Sequence, residues 1–164
     1  MTNLSKLRTR TKPTLAILVG NIGSGKSTLC KQLSKHFLII SRDSLRYMIG
    51  AGVYRFSDKT EPVIREMNLA CLRAAMLCRK DVVLDETNMS ARTRSGFINE
   101  AKRNNYRVIA IELPFLGMKE SVDRRMRDPH NQPDRKLWEH VWTMFYGMWD
   151  PPLKEEGLDA VIKL

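Results

Sequence analysis

The feature that most constrains this chain is the segment G-N-I-G-S-G-K-S at residues 20–27. An apolar run, residues 14–19, precedes it, and a helix-forming stretch, residues 28–35, follows it. A phosphate-binding loop requires this order of strand, loop and helix. Its glycines let backbone amides turn toward an anion, the helix N-terminus adds its dipole, and Lys26 supplies a positive charge. The predicted nucleoside triphosphate site comprises nine consecutive residues: Gly20, Asn21, Ile22, Gly23, Ser24, Gly25, Lys26, Ser27 and Thr28.

The length and the net charge limit how many domains the chain can form and which partners it is expected to bind. The 164 residues fit one domain with its own core, and we predict a basic N-terminal tail over residues 1–12 before a single domain over residues 13–164. The formal net charge is +10. Such an excess favours polyanionic partners, because each phosphate neutralised by Lys or Arg releases condensed counterions. The alternative is that part of the excess belongs to a solvated tail, with Lys6, Arg8, Arg10 and Lys12, and part to phosphate-handling arginines.

The sequence indicates no membrane segment, disulfide or zinc site. No stretch approaches the roughly 18 apolar residues that cross a bilayer, and the N-terminus lacks the apolar segment of a secretory signal. We therefore expect a soluble, cytoplasmic protein without a membrane partner. The three cysteines, Cys30, Cys71 and Cys78, have no C-x-x-C spacing and lie in apolar helical patterns. Free thiols in such patterns usually behave as small buried hydrophobes.

Apolar runs that alternate with helical patterns predict an α/β fold. The predicted strands cover residues 14–19, 37–40, 82–84, 107–113 and 160–164. The predicted helices between them include residues 61–79, 90–104, 116–127 and 135–148. This alternation is typical of a central parallel sheet, here of about five strands, with helices on both faces. The polar, proline-containing loop at residues 128–134 lies between two of the helices, and we predict a helical lid around residues 117–136.

Two adjacent acidic residues follow the strand predicted at residues 82–84. In P-loop enzymes a carboxylate at this position orders water around the magnesium ion that the loop hydroxyl holds. We predict that Ser27 and Asp85 hold Mg²⁺. Glu86 competes for this role, since it lies one residue on and points to the opposite side.

The segment S-R-D-S-L-R at residues 41–46 follows the second predicted strand, at the sheet edge where open α/β folds bind ligands. If a short helix begins at Asp43, then Asp43 and Arg46 lie three residues apart on one face. A carboxylate able to accept a hydroxyl proton would then lie beside a guanidinium able to bind a phosphate. An ordinary helix cap with an ion pair across one turn is the alternative.

Two groups of arginines complete the set of candidates. Arg124, Arg125 and Arg127 crowd a predicted helix end before the loop, where a guanidinium on a lid could close over a transferred phosphoryl group. A solvated basic helix end is the other explanation for some of the three. Arg92 and Arg94 follow Thr-Asn at residues 87–88, and they either reach the acceptor or face water.

These motifs, in this order, resemble the 5′-hydroxyl polynucleotide kinase family. The resemblance covers nearly the whole chain: G-N-I-G-S-G-K-S, then S-R-D-S-L-R, then V-V-L-D-E-T-N-M-S-A-R-T-R, then R-R-M-R before a loop. It implies a P-loop kinase fold for the domain. Other P-loop kinases share the first and third motifs, so only R-D-x-x-R and the basic charge point to a polynucleotide acceptor. The D-x-D-x-T element of the companion phosphatase domain does not occur.

The resemblance implies a role for each matching residue. Lys26 and Ser27 would bind ATP and magnesium, Asp43 would act as the general base, and Arg46 would hold the 3′-side phosphate of the acceptor. The lid arginine that contacts the donor phosphates would be Arg127, with Arg124 or Arg125 as substitutes because the spacing does not fix the register. We add Arg94 as a candidate acceptor contact.

The sequence hypothesis is therefore an enzyme that uses Mg²⁺ to transfer the γ-phosphate of ATP, or of another nucleoside triphosphate, to the 5′-hydroxyl end of DNA or RNA. The first alternative is a P-loop kinase for a small acceptor such as a nucleoside, nucleotide or sugar, which shares every donor-side residue. The second is a non-enzymatic nucleotide-binding module that uses the triphosphate as a switch.

Overall fold

The computed structural model describes Leu7, residues 11–128 and residues 134–164. Five strands form one sheet: β1 (Thr14–Val19), β2 (Leu38–Ile40), β3 (Val82–Leu84), β4 (Arg107–Glu112) and β5 (Ala160–Lys163). Their order is β2-β3-β1-β4-β5, and every neighbouring pair is parallel. The predicted α/β class with a parallel sheet of about five strands is confirmed.

Within the described residues, six α-helices and a short 3-10 helix lie between the strands. They are α1 (Lys26–Leu33), α2 (Arg42–Ile49), α3 (Glu61–Leu77), α4 (Ala91–Arg103), α5 (Met118–Arg127) and α6 (Arg135–Tyr146), followed by the 3-10 helix Lys154–Glu156. Helix α4 begins where Ser90 accepts a hydrogen bond from the Thr93 amide, and Asp134 caps α6 through the Leu137 amide. The helices predicted at residues 61–79, 90–104, 116–127 and 135–148 all form, with ends one or two residues shorter.

The sheet is covered on both faces. All six residues of β1 are buried, as expected for a central parallel strand. One hydrophobic cluster joins one face of the sheet to α3 and α4, through Leu72, Met76 and Ile98. A second cluster joins the other face to α1, through Leu29 and Leu33.

Leu7, within the predicted basic tail, belongs to this second cluster. Its side chain is 3% exposed, and its carbonyl accepts a hydrogen bond from Arg107 Nη1 at 2.8 Å. Leu7 therefore packs against the domain, because an apolar side chain gains more from burial than from exposure to water. The tail residues Lys6, Arg8 and Arg10 lie outside the described residues.

The parallel topology brings the predicted motifs together. Because β1, β2 and β3 run in the same direction, residues 20–27, residues 41–46 and Asp85 all follow strands at one edge of the sheet. Two hydrogen bonds connect the β1 and β3 ends: the Gly20 amide donates to the Thr87 carbonyl at 3.0 Å, and Asn88 Nδ2 donates to the Leu18 carbonyl at 2.8 Å. Within the part of the chain that the structure describes, no helix combines the length and apolar character that crossing a membrane demands.

Candidate nucleotide and acceptor site

The loop between β1 and α1 is closely packed around its glycines. Gly23 and Gly25 have φ angles of +70° and +99°, a region that side chains with a Cβ rarely adopt. At Gly23 a Cβ would also lie 2.6 Å from the Ser121 carbonyl oxygen of α5. Asn21 fixes the other end of the loop, since its Oδ1 accepts from the Ile22 amide and its Nδ2 donates to the Trp142 carbonyl. The loop is therefore held between the sheet and the helices α5 and α6.

Lys26 turns its ammonium group back over this loop. Its Nζ donates to the carbonyls of Gly20 and Asn21, both at 2.8 Å. Burial lowers the pKa of Lys26 from 10.5 to about 8, and the nearby charge of Arg125 acts in the same direction. The carboxylates of Asp85 and Asp43 oppose this effect. An ammonium group that is desolvated in this way is expected to gain strongly from a bound polyphosphate.

We expect the affinity for ATP to weaken as the pH rises from 7 to 9.5, because Lys26 with a pKa of about 8 loses the charge that attracts phosphate. Isothermal titration calorimetry across this range measures the effect. Lys26→Arg keeps its charge in this window and should show a flat profile. A flat profile for the unmodified protein would contradict the assignment of Lys26 to phosphate binding.

The stability of the protein depends on the same group in the opposite direction. Lys26 binds fewer protons in the folded state than in the unfolded state, so its contribution to the unfolding free energy rises between about pH 8 and 10.5.

The two adjacent acidic residues after β3 occupy different environments. Asp85 lies near Lys26 and accepts a hydrogen bond from the Cys30 thiol. Burial raises the pKa of Asp85, and the charge of Lys26 partly offsets this rise. Glu86 is instead bound by Arg42 Nη2 at 2.6 Å and by Asn68 Nδ2 at 2.7 Å. Asp85 is thus the carboxylate directed toward the phosphate loop, and Glu86 is part of the packing against α2 and α3.

The donor set at the loop fits Mg²⁺. Ser27 lies exposed in the first turn of α1, and Asp85 is a desolvated carboxylate beside Lys26. A hydroxyl and a carboxylate oxygen are hard ligands of the kind that Mg²⁺ takes, with water and phosphate oxygens completing its shell.

Asp43 and Arg46 lie in one network at the start of α2. Asp43 Oδ1 accepts hydrogen bonds from Arg46 Nη1 at 2.5 Å and from the Tyr54 hydroxyl at 3.0 Å. Arg46 is itself held by Glu61, with Nε and Nη2 each 2.7 Å from a carboxylate oxygen. The side chain of Asp43 is 57% exposed, whereas that of Arg46 is 10% exposed. Arg46 therefore orients Asp43, and its predicted contact with an acceptor phosphate stays a prediction.

The three arginines at the end of α5 differ in which neighbouring groups they contact or influence electrostatically. Arg125 acts on both Lys26 and Asp85, and its guanidinium lies 4.6 Å from the centre of the Trp138 ring. Arg124 donates to the Gly23 carbonyl at 3.3 Å and pairs with Glu120. Arg127 is exposed, and its charge acts on the pKa of Asp123. The structure favours Arg125 over the predicted Arg127, because the charge of Arg125 acts on Lys26 and Asp85, whereas Arg127 is exposed and acts on Asp123. The predicted loop at residues 128–134 lies largely outside the described residues.

Arg94 is not an acceptor contact. It is completely buried, and it forms a paired interaction with Glu156 through Nε at 2.8 Å and Nη2 at 2.6 Å. Its Nη1 donates to the carbonyls of Asn88 and Asp150. These bonds connect α4 to the 3-10 helix and leave no path to a ligand. The prediction that Arg94 binds the acceptor is wrong for this reason.

Replacing Arg94 with Ala should destabilise the protein by about 3 to 5 kcal/mol, because it leaves a partly buried carboxylate and two carbonyls without their donor. Urea unfolding of Arg94→Ala measures this loss. Arg92→Ala, an exposed residue of the same type on the same helix, should change stability by about 0.5 kcal/mol or less. A stable Arg94→Ala variant with weakened acceptor binding would restore the original interpretation.

A cavity of about 350 Å³ opens between the start of α2, the start of α3 and the residues that follow β3. Its lining combines basic, acidic, hydroxyl and apolar side chains: Arg42, Glu61, Arg65, Thr87, Met89, Ser90, Thr93, Phe145 and Met148. The cavity adjoins the network, since Glu61 both lines it and holds Arg46. Sequence reasoning missed Glu61 and Tyr54, because Tyr54 lies 11 residues from Asp43, Glu61 lies 15 residues from Arg46, and no local motif marks either contact. The acidic N-terminal position of Glu61 on α3 was the available signal.

The fold and the loop together define a P-loop nucleotide-binding protein of the kinase type. The chain belongs to an AAA domain family, whose model matches residues 15–142. It is 29% identical over 137 residues to the L-seryl-tRNA(Sec) kinase of Methanococcus maripaludis, which covers 79% of the chain and 52% of that relative. The chain therefore spans about half the length of this curated relative.

Solved structures give the same fold. A chain of the Pnkp1/Rnl/Hen1 RNA repair complex matches with a TM-score of 0.69 and 25% identity, over 87% of this chain and 47% of that chain. Kti12 from Chaetomium thermophilum, solved with ADP-AlF3, matches with a TM-score of 0.62 and 21% identity, over 92% of this chain and 88% of that chain. The last likeness concerns the fold alone. Taken together, the family and the fold indicate a P-loop kinase fold that binds a nucleotide, and they leave the reaction and its acceptor undetermined.

Proposed function

We propose that the protein transfers the γ-phosphate of ATP to the 5′-hydroxyl end of a DNA or RNA strand. The observation that carries this proposal is electrostatic: Asp43 and Asp85 both act on the Lys26 ammonium, and Asp43 acts on Asp85. This coupling supports an arrangement in which the candidate base and the donor-phosphate residues serve one site. In that arrangement the exposed carboxylate of Asp43 would bind an acceptor hydroxyl facing the phosphoryl group held by the loop.

In the proposed reaction, the loop amides and Lys26 hold the β and γ phosphates. Asp43 takes the proton of the acceptor hydroxyl while the oxygen of that hydroxyl forms a bond to the γ-phosphorus. The bond from this phosphorus to the β–γ bridging oxygen breaks. Arg125 stabilises the charge on the transferred group, and Arg46 keeps Asp43 oriented. Ser27 and Asp85 would hold Mg²⁺, which would supply neutralising charge to the phosphate oxygens.

The acceptor class rests on charge and on the site. The net charge of +10 suits a polyanion, and the cavity next to the Arg46 network is lined by two arginines, Arg42 and Arg65, and one acid, Glu61. The 25% identity to a chain of an RNA repair complex is consistent with a nucleic acid acceptor. A second candidate is the seryl hydroxyl of an aminoacylated tRNA, favoured by the relative named for that reaction. Both acceptors are hydroxyls carried by nucleic acid.

An acceptor panel tests the proposal. Radiolabelled [γ-³²P]ATP is offered with a 5′-hydroxyl oligonucleotide, the same oligonucleotide carrying a 5′-phosphate, seryl-tRNA, and a set of nucleosides and sugars. We expect label only in the 5′-hydroxyl strand, with affinity that falls steeply as salt increases. Label confined to seryl-tRNA would support the second candidate. Label confined to a small molecule, or ATP binding without any transfer, would overturn the proposal.

A further inference from the structure

Three aromatic side chains beside Asp43 are exposed to solvent and outside both hydrophobic clusters. Tyr47, Tyr54 and Phe56 are 37%, 41% and 62% exposed. Tyr47 and Tyr54 meet edge to face with centroids 5.3 Å apart. We call these three residues the aromatic platform. Large apolar surface at a loop beside a reactive group commonly marks a binding site.

The platform is attached directly to the residues of the acceptor site. The Tyr54 hydroxyl donates to Asp43 Oδ1, and the guanidinium of Arg46 lies 5.8 Å from the Tyr54 ring centre and 5.4 Å from that of Phe56. A molecule that presents its hydroxyl to Asp43 therefore places its neighbouring groups next to these rings. The buried cation beneath the rings also restricts their positions.

The platform is open rather than enclosed. Residues 51–59 are all exposed, and the sequence Tyr54-Arg55-Phe56 places a cation between two rings. Small-molecule sites instead enclose most of their ligand. Aromatic rings interleaved with positive charge on an open surface are the arrangement that binds single strands, where bases stack on rings and phosphates meet cations.

We propose that the platform stacks the unpaired bases next to the 5′ end of a single-stranded nucleic acid acceptor, with Phe56 as the principal ring. This inference rests on the proposed function. The inference goes beyond the proposed function because it assigns the specificity for a polymer to residues 47–56 rather than to Asp43 and Arg46. The stacking interaction acts on acceptor binding and leaves the transfer step unchanged.

Steady-state kinetics with a 5′-hydroxyl oligonucleotide test this. Stacking of one base is worth about 1 to 3 kcal/mol, so Phe56→Leu should raise the acceptor KM about 5- to 100-fold with kcat nearly unchanged. Phe56→Trp should restore the KM. Tyr54→Phe keeps its ring and should keep the KM. Leu77→Ala, an exposed apolar residue on α3, serves as the matched control and should match the unmodified protein.

Acceptors with abasic sites at the first two positions complete the test. They should raise the KM of the unmodified protein by a similar factor and have little further effect on Phe56→Leu. An unchanged KM for Phe56→Leu, or a fall in kcat alone, would overturn the stacking role.

Binding of a 5′-hydroxyl oligonucleotide carrying 2-aminopurine at its first position separates the two proposals, since stacking quenches its fluorescence without any phosphate transfer. Quenching that Phe56→Leu loses, in a protein without kinase activity on this strand, would retain the platform and reject the proposed function. Kinase activity on this strand without quenching would retain the proposed function and reject the platform.

Discussion

Replacing Asp43 with Asn is expected to lower kcat by about 10²- to 10⁴-fold while leaving the Kd for ATP unchanged. Removal of a general base accounts for a loss of this size, because the amide cannot accept the proton of the attacking hydroxyl. The amide keeps the size of the carboxylate and its hydrogen bonds to Arg46 and Tyr54, so the network at the start of α2 should remain folded. Rapid-quench assays with the 5′-hydroxyl strand measure the transfer step directly.

Asp58→Asn is the matched control, since it makes the same chemical change at an exposed residue of the adjoining loop. It should keep kcat within about twofold of the unmodified protein. Transfer by Asp43→Asn at the unmodified rate would reject Asp43 as the base. Loss of ATP binding in this variant would show instead that Asp43 supports the donor site.

Replacing Arg125 with Ala is expected to lower kcat by about 10³-fold, in the range found for arginines that stabilise a transferred phosphoryl group. Arg125 is the lid arginine whose charge acts on both Lys26 and Asp85. Because it also contacts the Trp138 ring, thermal unfolding of the variant must accompany the kinetics. Arg125→Lys keeps one charge and should recover part of the rate.

Arg127→Ala is the control on the same helix, and we expect it to lower kcat less than threefold. The opposite order, with Arg127→Ala inactive and Arg125→Ala active, would support the original sequence prediction. It would also imply that α5 turns toward the loop when nucleotide binds.

The sequence predicted the fold well because its signals are local. The strand at residues 14–19, the glycine loop and the helix after it each follow from residue types within a few positions. The strands also end where polar residues begin, which predicted that Asp85 and residues 41–46 share one sheet edge.

The site was predicted less completely, because several contacts are fixed only by tertiary packing. Arg94 has the pattern of a surface residue near a helix start, yet its partner Glu156 lies 62 residues away. Adjacent lid arginines differ by about 100° in helical phase, so the sequence could not tell which one faces Lys26. Arg46 is bound on both sides, by Asp43 and by Glu61, and only the first of these lies within one helical turn.

A crystal structure of the protein with ADP, aluminium fluoride, Mg²⁺ and a short 5′-hydroxyl oligonucleotide tests the central claim, that Lys26 and Asp43 serve one phosphoryl transfer. We expect the 5′ oxygen to lie within about 2.6 to 3.2 Å of the Asp43 carboxylate. The same oxygen should face the aluminium fluoride group that is held at the P-loop, in the position for in-line attack. An oligonucleotide whose 5′ end binds away from Asp43, with the nucleotide still in the loop, would contradict it.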